Sequence, residues 1–116
     1  MITDGISEII DMIQCTTFGP DMQSAPQILL LSPPALAHEG YLDINNELIF
    51  RGGKEQSFQF HNYYSKLAKK KHCHYFDLSS KLEYSQIDGL HLDEKGHKRS
   101  GALIASKIQS IFESET

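Results

Sequence analysis

Long apolar segments, cysteine clusters and basic tracts are all missing from this sequence of 116 residues. No apolar run approaches the ~20 residues that a bilayer-spanning helix needs, and the first residues lack the basic and apolar regions of a secretory signal. Lysine and arginine do not gather into a stripe with interleaved aromatic residues, and the net charge is only −4. The composition therefore predicts a cytoplasmic protein with neither a membrane nor a nucleic acid as partner.

Sulfur and imidazole ligands are also too sparse for a recognisable metal site. Cys15 and Cys73 lie far apart in the sequence, which favours reduced thiols over a disulfide framework. Four histidines invite a metal interpretation: His72, His74, His91 and His97. Strand alternation would place His72 and His74 on one side, but the spacing of the four matches no standard zinc signature. We therefore expect neither a metal nor a cofactor.

The chain has the size and composition of one folded domain, residues 1–116. Hydrophobic residues make up 40% and charged residues 22%, close to ordinary globular usage, and no polar or repetitive tract indicates disorder. Apolar periodicity predicts, in order, a helix, a strand, a helix, a strand and a helix, at about 4–15, 27–32, 54–71, 74–78 and 93–112. Residues 35–53 show no sustained period and are predicted to form a long loop.

This alternation predicts an α/β fold with parallel strands and helices layered on both faces. Each helix carries apolar residues along one side that should cover the sheet, including Ile6, Ile9, Ile10 and Ile13 in the first and Gly101, Ile104, Ala105, Ile108 and Phe112 in the last. Two strands make an incomplete sheet, and the apolar strand 27–32 is typical of a central position. We expect the missing neighbours to come from a separate N-terminal half or from another copy, which predicts a homo-oligomer or such a partner.

The residues most able to do chemistry are Asp88 and His91, in the loop between the last strand and the last helix. Active sites of parallel α/β sheets form outside the carboxyl ends of the strands, where this loop begins. The carboxylate of Asp88 could reach back to Nδ1–H of His91 and leave Nε2 to accept a proton from a serine hydroxyl. The alternative is an Asp that caps a helix beside a surface His, since D-x-x-H alone is a weak pattern.

Four segments make the chain resemble the SGNH or GDSL hydrolases, in particular their arylesterase-like branch: ILLLSPPALA (28–37), LIFRGGKEQS (48–57), HYFDLSS (74–80) and DGLHLDEKGHKRSG (88–101). The resemblance implies the C-terminal part of a three-layer α/β/α, flavodoxin-like fold. It also implies that Asp88 and His91 are two members of a catalytic triad. Pro33, Pro34 and Phe50 lie in segments that border the substrate pocket of that branch, so the resemblance makes them candidate substrate-binding residues.

The chain departs from the family pattern where the nucleophile should be. It contains neither a G-D-S motif nor a G-x-N-D segment for the oxyanion hole, and none of its serines lies in a strand-to-helix elbow, including Ser32, Ser79, Ser80, Ser85 and Ser100. We expect these serines to form loop or helix hydrogen bonds. The prediction is a partial serine esterase, inactive alone and acting on small esters if a serine-bearing segment completes it. The alternative is a non-catalytic truncated remnant that folds by self-association.

Overall fold

The computed structural model describes residues 2–34, 41–42, 48–49, 53–82 and 92–114, and the side chains of 3–34, 59–82 and 92–114. Its contacts divide the chain into two compact units, residues 1–31 with 62–76, and residues 32–61 with 77–116. That the chain forms one domain therefore stays a prediction. Within the described ranges, no helix combines the length and the apolar character that crossing a bilayer requires.

The described elements follow the predicted alternation. Three helices, α1 (Ile2–Gln14), α2 (Gly53–Lys71) and α3 (Glu94–Ser114), alternate with the strands β1 (Leu29–Ser32) and β4 (His74–Asp77). The region 35–53, predicted to be a loop, also contains two short antiparallel strands, β2 (Tyr41–Leu42) and β3 (Leu48–Ile49). Two apolar residue pairs on either side of a hairpin-length connection are too short to produce a detectable period, which is why the sequence pattern missed them.

Strands β1 and β4 are neighbours in a parallel sheet. The backbone N–H of His74 donates to the carbonyl of Ile28 at 2.9 Å, and that of Leu78 donates to the carbonyl of Ser32 at 3.2 Å. The pairing therefore advances in the same direction along both strands, and their carboxyl ends, Ser32 and Asp77, lie at the same edge. The predicted partial α/β fold with parallel strands is confirmed.

In the first unit, both α1 and the C-terminal part of α2 contribute buried side chains. Ile10, Tyr64 and Ala68 are buried. At the rim, the Lys71 ammonium lies 2.7 Å from Oδ1 of Asp11, and the side-chain amide of Gln14 donates to the carbonyl of Lys71 at 2.7 Å. This second contact satisfies one of the carbonyls that a helix C-terminus leaves without an intrahelical partner.

Helix α2 ends on a left-handed residue. His72 has φ = 58°, and the next N–H, that of Cys73, bonds back to the carbonyl of Ala68 at 2.8 Å, as in a Schellman motif. His72 therefore belongs to the helix cap and not to a strand. The expectation that His72 and His74 share one side of a strand was wrong, because the turn breaks the alternation between them.

Helix α3 begins where the sequence predicted. Asp93 caps it, since its Oδ1 accepts the N–H of Gly96 at 2.7 Å and its carbonyl accepts the N–H of His97 at 2.9 Å. The predicted inward face was wrong in part, because Ile111 is buried whereas Ile108 and Phe112 are exposed. Apolar residues occupy two adjacent stripes of this helix, and periodicity alone does not say which stripe points inward.

The prediction that Ile9 faces inward was wrong, because Ile9 is exposed whereas its neighbour Ile10 is buried. These two residues therefore test the assignment of the inward face of α1. Replacing Ile10 with Ala should lower the free energy of unfolding by about 2–4 kcal/mol, through lost burial and the cavity left behind. The matched change Ile9→Ala should stay within about 0.5 kcal/mol of the parent chain. Urea denaturation followed by circular dichroism measures both, and equal losses would show that the face of α1 is misassigned.

Candidate functional site

The predicted site residues fall in different parts of the described structure. Asp88, His91 and Phe50 lie outside the described residues, so the expected hydrogen bond between Asp88 and His91 stays a prediction. Pro33 and Pro34 directly follow β1, and Pro33 is half-buried while Pro34 is buried. Both prolines are therefore at the carboxyl edge of the sheet, where ligands of parallel α/β folds bind.

At that same edge, the carboxylate of Asp77 collects several hydrogen bonds. Its Oδ1 accepts the hydroxyl of Ser32 at 2.5 Å, the hydroxyl of Ser79 at 2.5 Å and the backbone N–H of Ser79 at 2.9 Å. Its Oδ2 lies 3.3 Å from Nδ1 of His61. We call these four residues, Ser32, His61, Asp77 and Ser79, the strand-end cluster, and all of them belong to the second unit.

The local sequence explains how these side chains meet. Ser32 is the last residue of β1 and Asp77 is the last residue of β4, so parallel pairing brings the two together. The bond from the N–H of Ser79 to the side chain of Asp77 forms an Asx turn that leads the chain out of the sheet. The hydroxyl of Ser80 adds a bond to the carbonyl of Asp77 at 3.2 Å.

Asp77 is ionised in this arrangement. Its side chain is 17% exposed, and burial of this kind by itself raises the pKa of a carboxyl. The hydrogen bonds from Ser32 and Ser79, together with the charge of His61, outweigh burial and hold the pKa of Asp77 below its ordinary value of 3.8. The cluster is therefore built around a negative charge whose stabilisation comes chiefly from hydroxyl and amide donors.

His61 meets Asp77 through Nδ1, the ring nitrogen through which an orienting carboxylate fixes a catalytic imidazole. Its side chain is 45% exposed, and it lies on α2. The sequence interpretation missed both His61 and Asp77. An available signal was the D-x-S turn directly after a predicted strand, but the distance along the chain between His61 and Asp77 hides their contact.

The serines of this cluster are structural donors. Ser32 is fully buried and gives its hydroxyl proton to Asp77, and Ser79 is buried and does the same. A nucleophilic serine needs an exposed hydroxyl next to a general base, and neither residue meets that condition. For Ser32, Ser79 and Ser80, the structure gives the hydrogen-bonding role that the sequence suggested.

Metal ligands do not converge in the part of the chain that the structure describes, where no group of three or more His, Cys, Asp or Glu side chains could hold an ion. His74 instead contacts the side-chain oxygen of Gln27 at 2.8 Å. Cys15 and Cys73 are free thiols. Burial raises the pKa of the Cys73 thiol, so it stays protonated at neutral pH.

Comparison with known proteins connects this fold to esterases. No protein-family model matches the sequence, and no curated protein matches it significantly. Among solved structures, the chain is similar to the native aryl esterase of M. smegmatis, with 26% identity and a TM-score of 0.74 over 91% of this chain and 49% of that one. It is also similar to a carbohydrate acetylesterase from Sinorhizobium meliloti, with 27% identity and a TM-score of 0.72 over 93% of this chain and 50% of that one.

The resemblance to SGNH hydrolases inferred from the sequence is confirmed by these structures. The chain spans about half the length of each, as expected for half of such a fold. The partial α/β architecture described above is the part that the chain has in common with them.

The pKa of Asp77 gives a test of the strand-end cluster. Because the pKa is lower in the folded than in the unfolded chain, the stabilisation is present above the unfolded value of 3.8 and disappears as pH falls through the folded pKa. Asp77→Asn should therefore cost about 1–3 kcal/mol of unfolding free energy at pH 7. The difference from the parent should shrink below about pH 4, as the parent's carboxylate becomes protonated.

Denaturation curves between pH 3 and pH 7 would measure this effect. Glu8→Gln is the matched control, because Glu8 is an exposed carboxylate of α1, and this change should leave the free energy of unfolding within about 0.5 kcal/mol of the parent at every pH. A loss for Asp77→Asn that stays constant across the whole pH range would contradict the charge-based account.

Proposed function

We propose that this chain is the Asp- and His-bearing half of an SGNH-type serine esterase, which hydrolyses small carboxylic esters once a serine-bearing segment completes the site. One observation carries this proposal: more than nine-tenths of the chain matches half of an aryl esterase and half of a carbohydrate acetylesterase. The residues assigned to catalysis are Asp88 and His91.

In this proposal the reaction follows the acyl-enzyme route. His91 takes the proton of the serine hydroxyl as the serine oxygen attacks the ester carbonyl, and it then gives that proton to the departing alcohol. In the second half-reaction, His91 takes a proton from water as the water oxygen attacks the acyl carbon. His91 then gives that proton to the serine oxygen as the bond between this oxygen and the acyl carbon breaks, and the carboxylic acid leaves. Asp88 orients the imidazole and stabilises its charged form. The serine and the oxyanion donors come from the completing segment.

Two features of the described structure support a nucleophile outside this chain and a substrate pocket at the carboxyl edge of the sheet. The buried serines Ser32 and Ser79 are committed to Asp77, so they do not supply the nucleophile. Pro33 and Pro34 follow β1 at the carboxyl edge of the sheet, the position at which substrates bind in parallel α/β folds. We therefore keep Pro33 and Pro34 as pocket residues, and Phe50 on the family resemblance alone.

The reaction requires no cofactor, and the partners that it implies are a small ester and the completing segment. We place the reaction in the cytoplasm. The second candidate function is a non-catalytic remnant that folds by self-association. It is favoured by one observation, the absence of both G-D-S and G-x-N-D from the sequence. Translating the nucleotide sequence upstream of Met1 in all frames, in search of those two motifs, separates the two candidates.

The proposal predicts a specific activity pattern on a short activated ester. The purified chain alone should turn over no faster than the double variant Asp88→Ala, His91→Ala, because it has no nucleophile for His91 to activate. Joined to a segment that carries both missing motifs, the chain should become active. His91→Ala should then reduce kcat by at least about 10³-fold, since triad members act as a unit.

His97→Ala is the matched control for the joined protein. His97 is exposed near the start of α3 and is not assigned to catalysis, so its removal should leave kcat within about twofold of the parent value. Turnover by the unmodified chain alone that His91→Ala abolishes would contradict the division into two halves. Activity of the joined protein that survives His91→Ala would contradict the assignment of His91.

A further inference from the structure

Helix α3 carries an exposed apolar stripe with an unusual arrangement of residue sizes. The stripe comprises Gly101, Ala105, Ile108 and Phe112, and all four residues are exposed. We call it the α3 stripe. Its members are spaced by four, three and four residues, the spacing of the seam in a helix pair, and it lies beside the inward residue Ile111. The inward side of α3 therefore does not use it.

Large side chains of the stripe remain in contact with solvent. Phe112 is 58% exposed and Ile108 is 40% exposed. Together with Ala105, Gln109 and Glu113 they line a shallow, open and largely apolar depression. Gln109 and Glu113 are hydrogen-bonded to each other at 3.0 Å along one side of it. An apolar centre beside a polar border is the composition of an interface core and its rim.

No contact within the described part of the chain requires glycine at position 101. A Cβ atom added there would meet no described atom within 4 Å, whereas at Gly96, near the helix start, it would lie 3.1 Å from both Asp93 and Leu92. Glycine is the poorest helix former after proline, so its presence inside α3 weakens the helix without improving its packing. Open space above a helix glycine allows a side chain from outside to approach the backbone closely.

We propose that the α3 stripe is a homodimer interface in which two copies of α3 pack antiparallel about a twofold axis. The spacing of the stripe reads the same in both directions along the helix. In the antiparallel register, the partner's Phe112 fills the space above Gly101, and the partner's Ile108 lies against Ala105. Each large residue therefore faces a small one, at both ends of the interface, as a twofold axis requires.

A second copy fits the stripe better than an unrelated surface does. In the antiparallel register, the large residues of one copy face the small residues of the other, and in the parallel register they do not. A parallel pair would place Phe112 against Phe112 and Gly101 against Gly101, which crowds one end and leaves a gap at the other. The antiparallel pair also aligns opposite helix dipoles. A single helix pair is smaller than the roughly 800 Å² per partner of a standard interface, and some standard interfaces already bind only in the micromolar range. We therefore expect a dissociation constant of roughly 10–100 µM for this dimer.

Sedimentation equilibrium of the whole chain between about 5 and 500 µM tests the dimer, a range chosen to bracket that constant. Phe112→Ala and Gly101→Leu should each raise the dissociation constant at least about tenfold. The first removes the large side chain, and the second fills the space above residue 101 that receives it. The matched control is Phe18→Ala, because Phe18 is 72% exposed but lies outside α3, and this variant should dimerise like the parent. Circular dichroism should show all three variants folded.

The register has its own test. Combining Gly101→Leu with Phe112→Ala moves the large residue from one end of the stripe to the other, so in the antiparallel dimer large again faces small and dimerisation should recover to within about threefold of the parent. A double variant weaker than both single variants would overturn the antiparallel register. A chain that remains monomeric at every concentration, or a dimer that Phe112→Ala leaves intact, would overturn the proposal.

Discussion

The described architecture depends most on the hydrogen bonds that the carboxylate of Asp77 accepts. This carboxylate lies at the end of β4 and is bonded to Ser32 at the end of β1, so one side chain ties together the two strand ends at the carboxyl edge of the sheet. The same group sets the direction of the chain after β4 through Ser79, and it also faces His61 on α2. Because the Asp77 carboxylate is partly buried, these donors stabilise its charge where water reaches it less.

A sheet described by only two parallel strands gives the helices a small surface to cover. Several large apolar side chains accordingly stay exposed, among them Ile9, Met12, Phe18, Ile108 and Phe112. The chain spans about half the length of the solved structures that it resembles. Self-association through the α3 stripe would shield Ile108 and Phe112 from solvent, and it involves neither Asp88 nor His91.

The strand-end cluster and the proposed catalytic pair have different chemical characters. In the strand-end cluster, the carboxylate of Asp77 accepts hydrogen bonds from Ser32 and Ser79, and both serines are buried. These features suit a structural role. The proposed pair would use a carboxylate to orient an imidazole toward a serine, which requires access to substrate. Both are assigned to the carboxyl side of the strands, the cluster by its geometry and the pair by its place in the sequence. In that case, the strand-end cluster would fix the strand ends that precede the loops of the proposed site.

By itself, the sequence determined the order of the three helices and of β1 and β4, although it missed β2 and β3. The apolar periods of the helices and the short apolar run of β1 are signals contained in residues close together in the chain. It also determined the resemblance to SGNH hydrolases, through four segments taken together, of which the one with D-x-x-H is the last. Only the tertiary structure decided which stripe of α3 points inward, that His72 caps a helix, and that Asp77 joins Ser32 and His61. The contacts of Asp77 join residues that are far apart in the chain, and the inward stripe of α3 is a choice between two apolar faces. A local sequence pattern contains neither kind of information.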